Sequence, residues 1–309
     1  MLAIFLKTLP FFALIGLGYA AARTKFFGPE ATAYLTKFVF YFALPAMLFR
    51  FSANLSVRDI FDVDVVLAYL IGTITIYLLA TAVALYRQIG VEQAAFEAQC
   101  AVIGNVGFLG IPMLAVLMGD AAVATVMLVL AVDLIVFGSL VVILVVGSRD
   151  GRMSLGVLRT VGIGLLKNPM IMAITLGLAW SALNIPIPVP LNEFVVILGA
   201  AATPGALFAI GASLAGKSAD RVAISGWLSF CKLILHPAAI AFAGIVLIPV
   251  NPYDAGVMIA AAALPVAGNV YILAQHYGVA PSRVSASILI STILSIFTVS
   301  AVIAWVQGL

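Results

Sequence analysis

Apolar residues recur along this chain in runs of about 20, the length a helix needs to cross the hydrocarbon core of a bilayer. Ten such runs can be marked, at 3–22, 33–53, 64–86, 95–118, 121–147, 168–183, 191–215, 222–249, 255–276 and 284–306. Between them fall short polar or helix-breaking stretches: Gly28-Pro29, Asp62 to Asp64, Gly90, Gly119-Asp120, Arg149-Asp150-Gly151, Pro186 to Pro190, Lys217 to Arg221, Asn251-Pro252 and Gly278 to Pro281. The pattern predicts an all-α polytopic membrane protein with ten transmembrane helices. The fourth and ninth runs are the least uniform, with Gly, Asn and Pro where an unbroken helix favours Leu.

Composition agrees with the pattern. Hydrophobic residues make up 64% of the 309 and charged residues 9%, too little charge to clothe a soluble domain. The formal net charge of +3 is spread over loops, which argues against nucleic acid as a partner and leaves the lipid bilayer as the surroundings. Cys100 and Cys231 lie in or beside apolar runs and read as buried thiols. Lys and Arg are biased to alternate loops. Arg23, Lys25, Arg87, Arg149, Arg152, Arg159, Lys167, Lys217, Arg221 and Arg283 fall in one set, against Arg58, Lys7 and Arg50 near the other. The positive-inside rule then puts the first set in the cytoplasm, both termini outside, and the protein in a plasma membrane.

The chain also repeats itself. Pro10, Leu17, Gly18 and Ala20 match Pro169, Leu176, Gly177 and Ala179, and Pro45, Leu48, Phe49, Ala53 and Leu55 match Pro204, Leu207, Phe208, Ala212 and Leu214, all at a shift of 159. Gly104-Asn105-Val106 matches Gly268-Asn269-Val270 at a shift of 164. A unit of five spans has an odd number of crossings, so its second copy starts on the opposite side of the membrane. This is a 5+5 inverted repeat: residues 1–147, a cytoplasmic connecting loop at 148–167, and residues 168–309. The first run resembles a signal peptide but has an internal counterpart in the sixth, which marks it as a span.

Inverted-repeat carriers place their substrate site near the midplane, on interrupted helices at matching places in the two halves. The fourth run holds Asn105, Gly107, Gly110 and Pro112; the ninth holds Pro265, Gly268 and Asn269. Glycine weakens a helix and proline removes a donor, so both runs are expected to break. Exposed N–H groups at a break suit an anion, and asparagine amides can donate to a carboxylate. The alternative is a pair of packing kinks lined by small residues.

Asn105 through Gly110-Ile111-Pro112 resembles the N-x-x-x-x-G-I-P element of the auxin efflux carrier family. Leu264-Pro265, Ala274, Tyr277, Val279 and Pro281 fall at that family's spacing. The resemblance spans the chain and implies more than the residues do. The broken fourth and ninth spans would cross. Spans 3–5 and 8–10 would form a moving transport domain, and spans 1, 2, 6 and 7 a scaffold that forms a homodimer. Alternating access would be of elevator type. The short linker between the halves suits a prokaryotic member. Asn269, where plant carriers have an apolar residue, points away from auxin to a more polar substrate.

Among ionisable residues, Asp133 sits mid-span, and a carboxylate there should face a cavity or a partner. It is a candidate for proton coupling or for substrate contact. Lys232 and His236, four apart, share a helix face ahead of Pro237, which should kink the helix near Leu233. Lys232 either attracts an anion, pairs with Asp133 or snorkels to the interface; His236 is a proton-relay candidate or a packed neutral side chain. Glu97, Lys37, Glu193 and Arg50 read as interfacial. The whole describes a secondary carrier for small organic anions such as malate or malonate, without cofactor or metal, with H⁺ or Na⁺ as the coupling ion. A cation/proton antiporter or sodium-coupled symporter of the same architecture is the alternative. No HExxH or G-x-S-x-G spacing suggests an enzyme.

Overall fold

The computed structural model describes residues 2–55, 62–150, 155–216 and 222–308. Arg58, Arg152, Lys217 and Arg221, used above for orientation, lie outside them. Every regular element among the described residues is a helix. In chain order these are α1 (Leu2–Arg23), α2 (Pro29–Ala53), α3 (Val63–Tyr86), α4 (Val91–Val102), α5 (Val106–Met118) and α6 (Ala122–Arg149). They continue with α7 (Leu155–Lys167), α8 (Pro169–Ala182), α9 (Val189–Leu214), α10 (Val222–Leu247), α11 (Pro252–Ala262), α12 (Gly268–Tyr277) and α13 (Pro281–Val306).

Seven of these helices are long and apolar enough to cross a membrane, and an eighth span results if Val161–Lys167 and Pro169–Ala182, bent by 69°, are taken together. The fourth and ninth runs of the sequence are each cut in two, as α4–α5 and α11–α12. The connection expected to be a loop at 148–167 is helical over Leu155–Lys167. Leu155 to Lys167 carries few breakers beyond glycine, and the chain turns only at Asn168, whose side chain accepts from the Met170 and Ile171 amides and so starts α8.

Helices α1, α2, α8 and α9 pack chiefly on one another, and α3 to α6 with α10 to α13 form the rest. The tightest approaches are made by glycine. A side chain at Gly18 would collide with the Phe208 carbonyl, and one at Gly177 would lie 2.7 Å from the Phe49 carbonyl. Shifting Gly18 and Phe49 by the 159 residues noted above gives Gly177 and Phe208, so α1 meets α9 through the same pair of residues by which α8 meets α2. In lipid, close backbone approach through small residues is a main source of helix association.

Proline accounts for local irregularity. Wide π-type turns occupy Val39–Ala43, Val106–Gly110 and Cys231–Leu235, and each ends two residues before a proline, at Pro45, Pro112 and Pro237. Proline clashes with the carbonyl four residues back and offers it no N–H. The wider turn lets the residue before it reach one carbonyl further: Leu44 donates to Val39, Ile111 to Val106 and His236 to Cys231. The kink expected near Leu233 is this turn.

Gly18→Ala and Gly177→Ala should each destabilise the fold by about 1–3 kcal/mol, since only backbone can give way. Gly16→Ala, which meets nothing within 4 Å, should leave the melting temperature of the detergent-solubilised protein unchanged.

Candidate functional site

The two interrupted segments meet. Extended residues after α4 lie antiparallel to extended residues before α12, with Gly104 opposite Val266. Asn105 N–H donates to the Pro265 carbonyl (2.8 Å) and Ala267 N–H to the Ile103 carbonyl (3.0 Å). The Val266 amide donates to Ser291 Oγ of α13 (3.1 Å). Several backbone groups freed by each break are thus satisfied by the other break and by one serine, as a low-dielectric interior favours. Helix α5 starts at Val106 and α12 at Gly268, so two helix N-termini open directly from the paired strand-like residues. Two helix C-termini, those of α4 and α11, arrive there.

The predicted residues of both runs are brought together. Asn105 is buried, Asn269 half-buried, and the Oδ1 of each has no partner. Gly107 packs under Met170 of α8, and Gly110 under Leu264; a Cβ would lie 2.8 Å and 2.7 Å from those side chains. Nothing lies within 4 Å of a Cβ at Gly268, so the α12 arm is the open one. Pro265 is buried in the crossing, and Pro112 is half-buried one turn beyond it.

Beside the crossing runs a buried set of polar side chains. Lys232 Nζ donates to the Ala262 carbonyl, at the C-terminus of α11, and lies 3.1 Å from His236 Nδ1. His236 Nε2 lies 3.1 Å from Thr73 Oγ1. Tyr69 OH donates to Asp133 Oδ1 (2.8 Å), and Thr73 stands four residues on from Tyr69 along α3. Lys232 and His236 are fully buried, which overturns the snorkelling reading of Lys232. It sits instead where a cation neutralises the partial negative charge of a helix end. Lys232 makes no direct ion pair with Asp133, whose Oδ2 is left without a partner. Asp133 and Lys232 both stand in π-type turns, Asp133–Phe137 and Cys231–Leu235, and such turns recur at functional positions. Tyr69 and Thr73 were missed in the sequence. Their signal was available: two polar groups four apart in an apolar span, the spacing that drew attention to Lys232 and His236.

A second charged cluster lies at one end of the molecule. Glu97 is buried, not interfacial: it pairs with Arg87 from the end of α3 and with Arg283 from the first turn of α13. A carboxylate on the first turns of a helix can be drawn inward when two guanidinium groups reach it. Arg149, closing α6, bridges Glu92 (2.9 Å) and the Tyr277 carbonyl (2.6 Å) at the C-terminus of α12. At the other end Gln307, closing α13, donates to the Leu117 carbonyl (2.9 Å) near the C-terminus of α5. Lys37, Glu193 and Arg50 are exposed, as expected of interfacial residues, and Cys100 and Cys231 are buried free thiols. Two cavities of about 280 and 340 Å³ lie at the two ends, lined by residues such as Gly90 and Gly278 or Met118 and Gln307, and neither reaches the crossing.

Interrupted helices that satisfy each other's backbone deep inside an apolar bundle are an arrangement that membrane transport proteins use. The chain belongs to the membrane transport protein family, the family of the auxin efflux carriers, whose sequence profile matches residues 3–303. It is 30% identical over 307 residues to a protein of Rhizobium meliloti named "Putative malonate transporter", covering 97% of this chain and 95% of that one. It is 26% identical over 296 residues to the Escherichia coli protein named "Uncharacterized transporter YfdV", covering 92% of each.

Glu97→Ala should destabilise the protein by about 3–5 kcal/mol, because it strands buried Arg283. Melting of the purified variant checks this, and adding Arg283→Gln should recover part of the loss.

Proposed function

We propose that the protein is a secondary carrier for small carboxylates, built as ten spans in a 5+5 inverted repeat. The observation that carries this reading is the crossing itself, where two matched Gly-Asn-Val segments set one asparagine amide beside each of two helix N-termini. A carboxylate placed there gains amide donors from Asn105 and Asn269 and the positive ends of α5 and α12. Gly107, Gly110, Pro112, Pro265 and Gly268 shape the space: the glycines admit close approach and the prolines hold the breaks open. Asp133 is assigned to coupling and not to substrate contact, since a carboxylate ligand and a carboxylate side chain repel. The name of the Rhizobium meliloti relative supports a dicarboxylate such as malonate as the first substrate to try.

Eight spans plus the two broken ones make ten. The mirrored Gly18–Phe208 and Gly177–Phe49 contacts support an inverted pair of copies. The packing of α1, α2, α8 and α9 on one another supports their role as a scaffold, through which the protein forms a homodimer, with the remaining helices as the domain that moves in an elevator cycle. Arg87, Arg149 and Arg283 gather at one end, which supports placing that end in the cytoplasm of a bacterial inner membrane with both termini outside.

Asn105→Ala and Asn269→Ala should each weaken carboxylate binding roughly ten- to hundredfold, the loss of one hydrogen bond to a charged group. Uptake of radiolabelled malonate into proteoliposomes, with expression and oligomeric state as controls, checks this. Wild-type uptake by both variants would refute the site.

A further inference from the structure

The buried polar side chains beside the crossing form a run with a direction. An ammonium can only donate, so Lys232 Nζ gives a hydrogen to His236 Nδ1. His236 then carries its own hydrogen on Nε2 and gives it to Thr73 Oγ1. Thr73 stands one turn from Tyr69 on α3, and Tyr69 donates to Asp133 Oδ1. Every donor points from the ammonium toward the carboxylate. The titratable and charged groups that face this run are Tyr69 from α3, Asp133 from α6, and Lys232 and His236 from α10. Helix α11 contributes only carbonyls, of Ala261 and Ala262, and the crossing contributes Gly104. One acceptor stays open, Asp133 Oδ2, in a side chain that is 4% exposed.

With Asp133 ionised and Lys232 charged, the run has no net charge. A carboxylate entering the crossing upsets that balance in a water-poor interior, and a proton on Oδ2 offsets one charge of it. From these observations we infer that the Asp133–Tyr69–Thr73–His236–Lys232 run is a coupling-proton site, taking one proton onto Asp133 with each carboxylate carried. The proton comes from water on the loading side, forms an O–H bond at Oδ2, and leaves to water on the release side. The empty carrier returns with Asp133 ionised and balanced by Lys232 at the other end of the run. Tyr69, Thr73 and His236 are positioning residues: they hold the two charges at the ends of one run of buried polar side chains.

This inference rests on the carboxylate-carrier reading, and the test separates the two. Proteoliposomes holding a pH-sensitive dye and clamped at zero membrane potential are given radiolabelled malonate, first as exchange without a gradient, then with a more acid exterior. A difference of about one pH unit is a tenfold proton ratio, so one-to-one coupling drives up to about tenfold accumulation. Wild type should accumulate malonate and acidify the lumen. Asp133→Asn should keep exchange, lose accumulation and move no protons. Gradient-driven net uptake by wild type without acidification, or acidification by Asp133→Asn at the wild-type rate, overturns the proton site while leaving the carrier intact. Absence of any exchange or binding in wild type across a panel of carboxylates overturns the carrier reading itself. Should Asp133→Asn not fold, Tyr69→Phe keeps the buried ring and cuts the link to Asp133. It should shift the pH profile of accumulation with exchange retained, and an unchanged profile overturns the proposal.

Discussion

Hydrocarbon offers no partner to a peptide N–H or C=O, and each group left unpaired there costs several kcal/mol. Breaking one helix in the interior would therefore be ruinous. This chain breaks two and sets the breaks against each other, so that Asn105 and Ala267 donate across to Pro265 and Ile103. Much else follows from that pairing. Four helix ends come to one place, Ser291 takes the remaining Val266 amide, and Lys232 comes to rest on the last turn of α11. Neither half of the chain can form this arrangement alone.

Charge in the interior obeys the same rule at two sites with different outcomes. Glu97, with two arginines, is paired on both oxygens and ties the ends of α3, α4 and α13 together. Asp133 is paired on one oxygen only. A fully satisfied carboxylate gives rigidity; one that keeps an oxygen open retains the capacity to change its state. The difference between them lies in hydrogen-bond count and not in burial, which is nearly the same at 2% and 4%.

Much of this was legible in the residues. Apolar runs gave the long helices to within a few positions, because lipid fixes their length and their composition together. The breaks in the fourth and ninth runs were legible because Gly, Asn and Pro have definite backbone consequences. Three features were not. Glu97 looked interfacial because its partners, Arg87 and Arg283, are distant in sequence, and only the fold brings them within reach. The helix at Leu155–Lys167 was hidden by its neighbours' charges, which marked the stretch as a loop. Tyr69 and Thr73 passed as ordinary members of an apolar span, since a hydroxyl changes hydropathy little. Of the candidate site, the asparagines and glycines that meet at the crossing were named; the order of polar side chains between Lys232 and Asp133 needed coordinates.

Residues 2–23 form one continuous helix with Pro10 inside it, while 161–182, the stretch reached by a shift of 159, is an elbow bent by 69° just before Pro169. Proline has no N–H to surrender, so rod and elbow differ by few backbone hydrogen bonds at that point. The chain thus holds two shapes of one sequence pattern side by side, each compatible with the same local chemistry. A proline at that place thus lets one pattern serve as a rod in one half and as an elbow in the other, because the covalent structure has already excused the bond a bend would break.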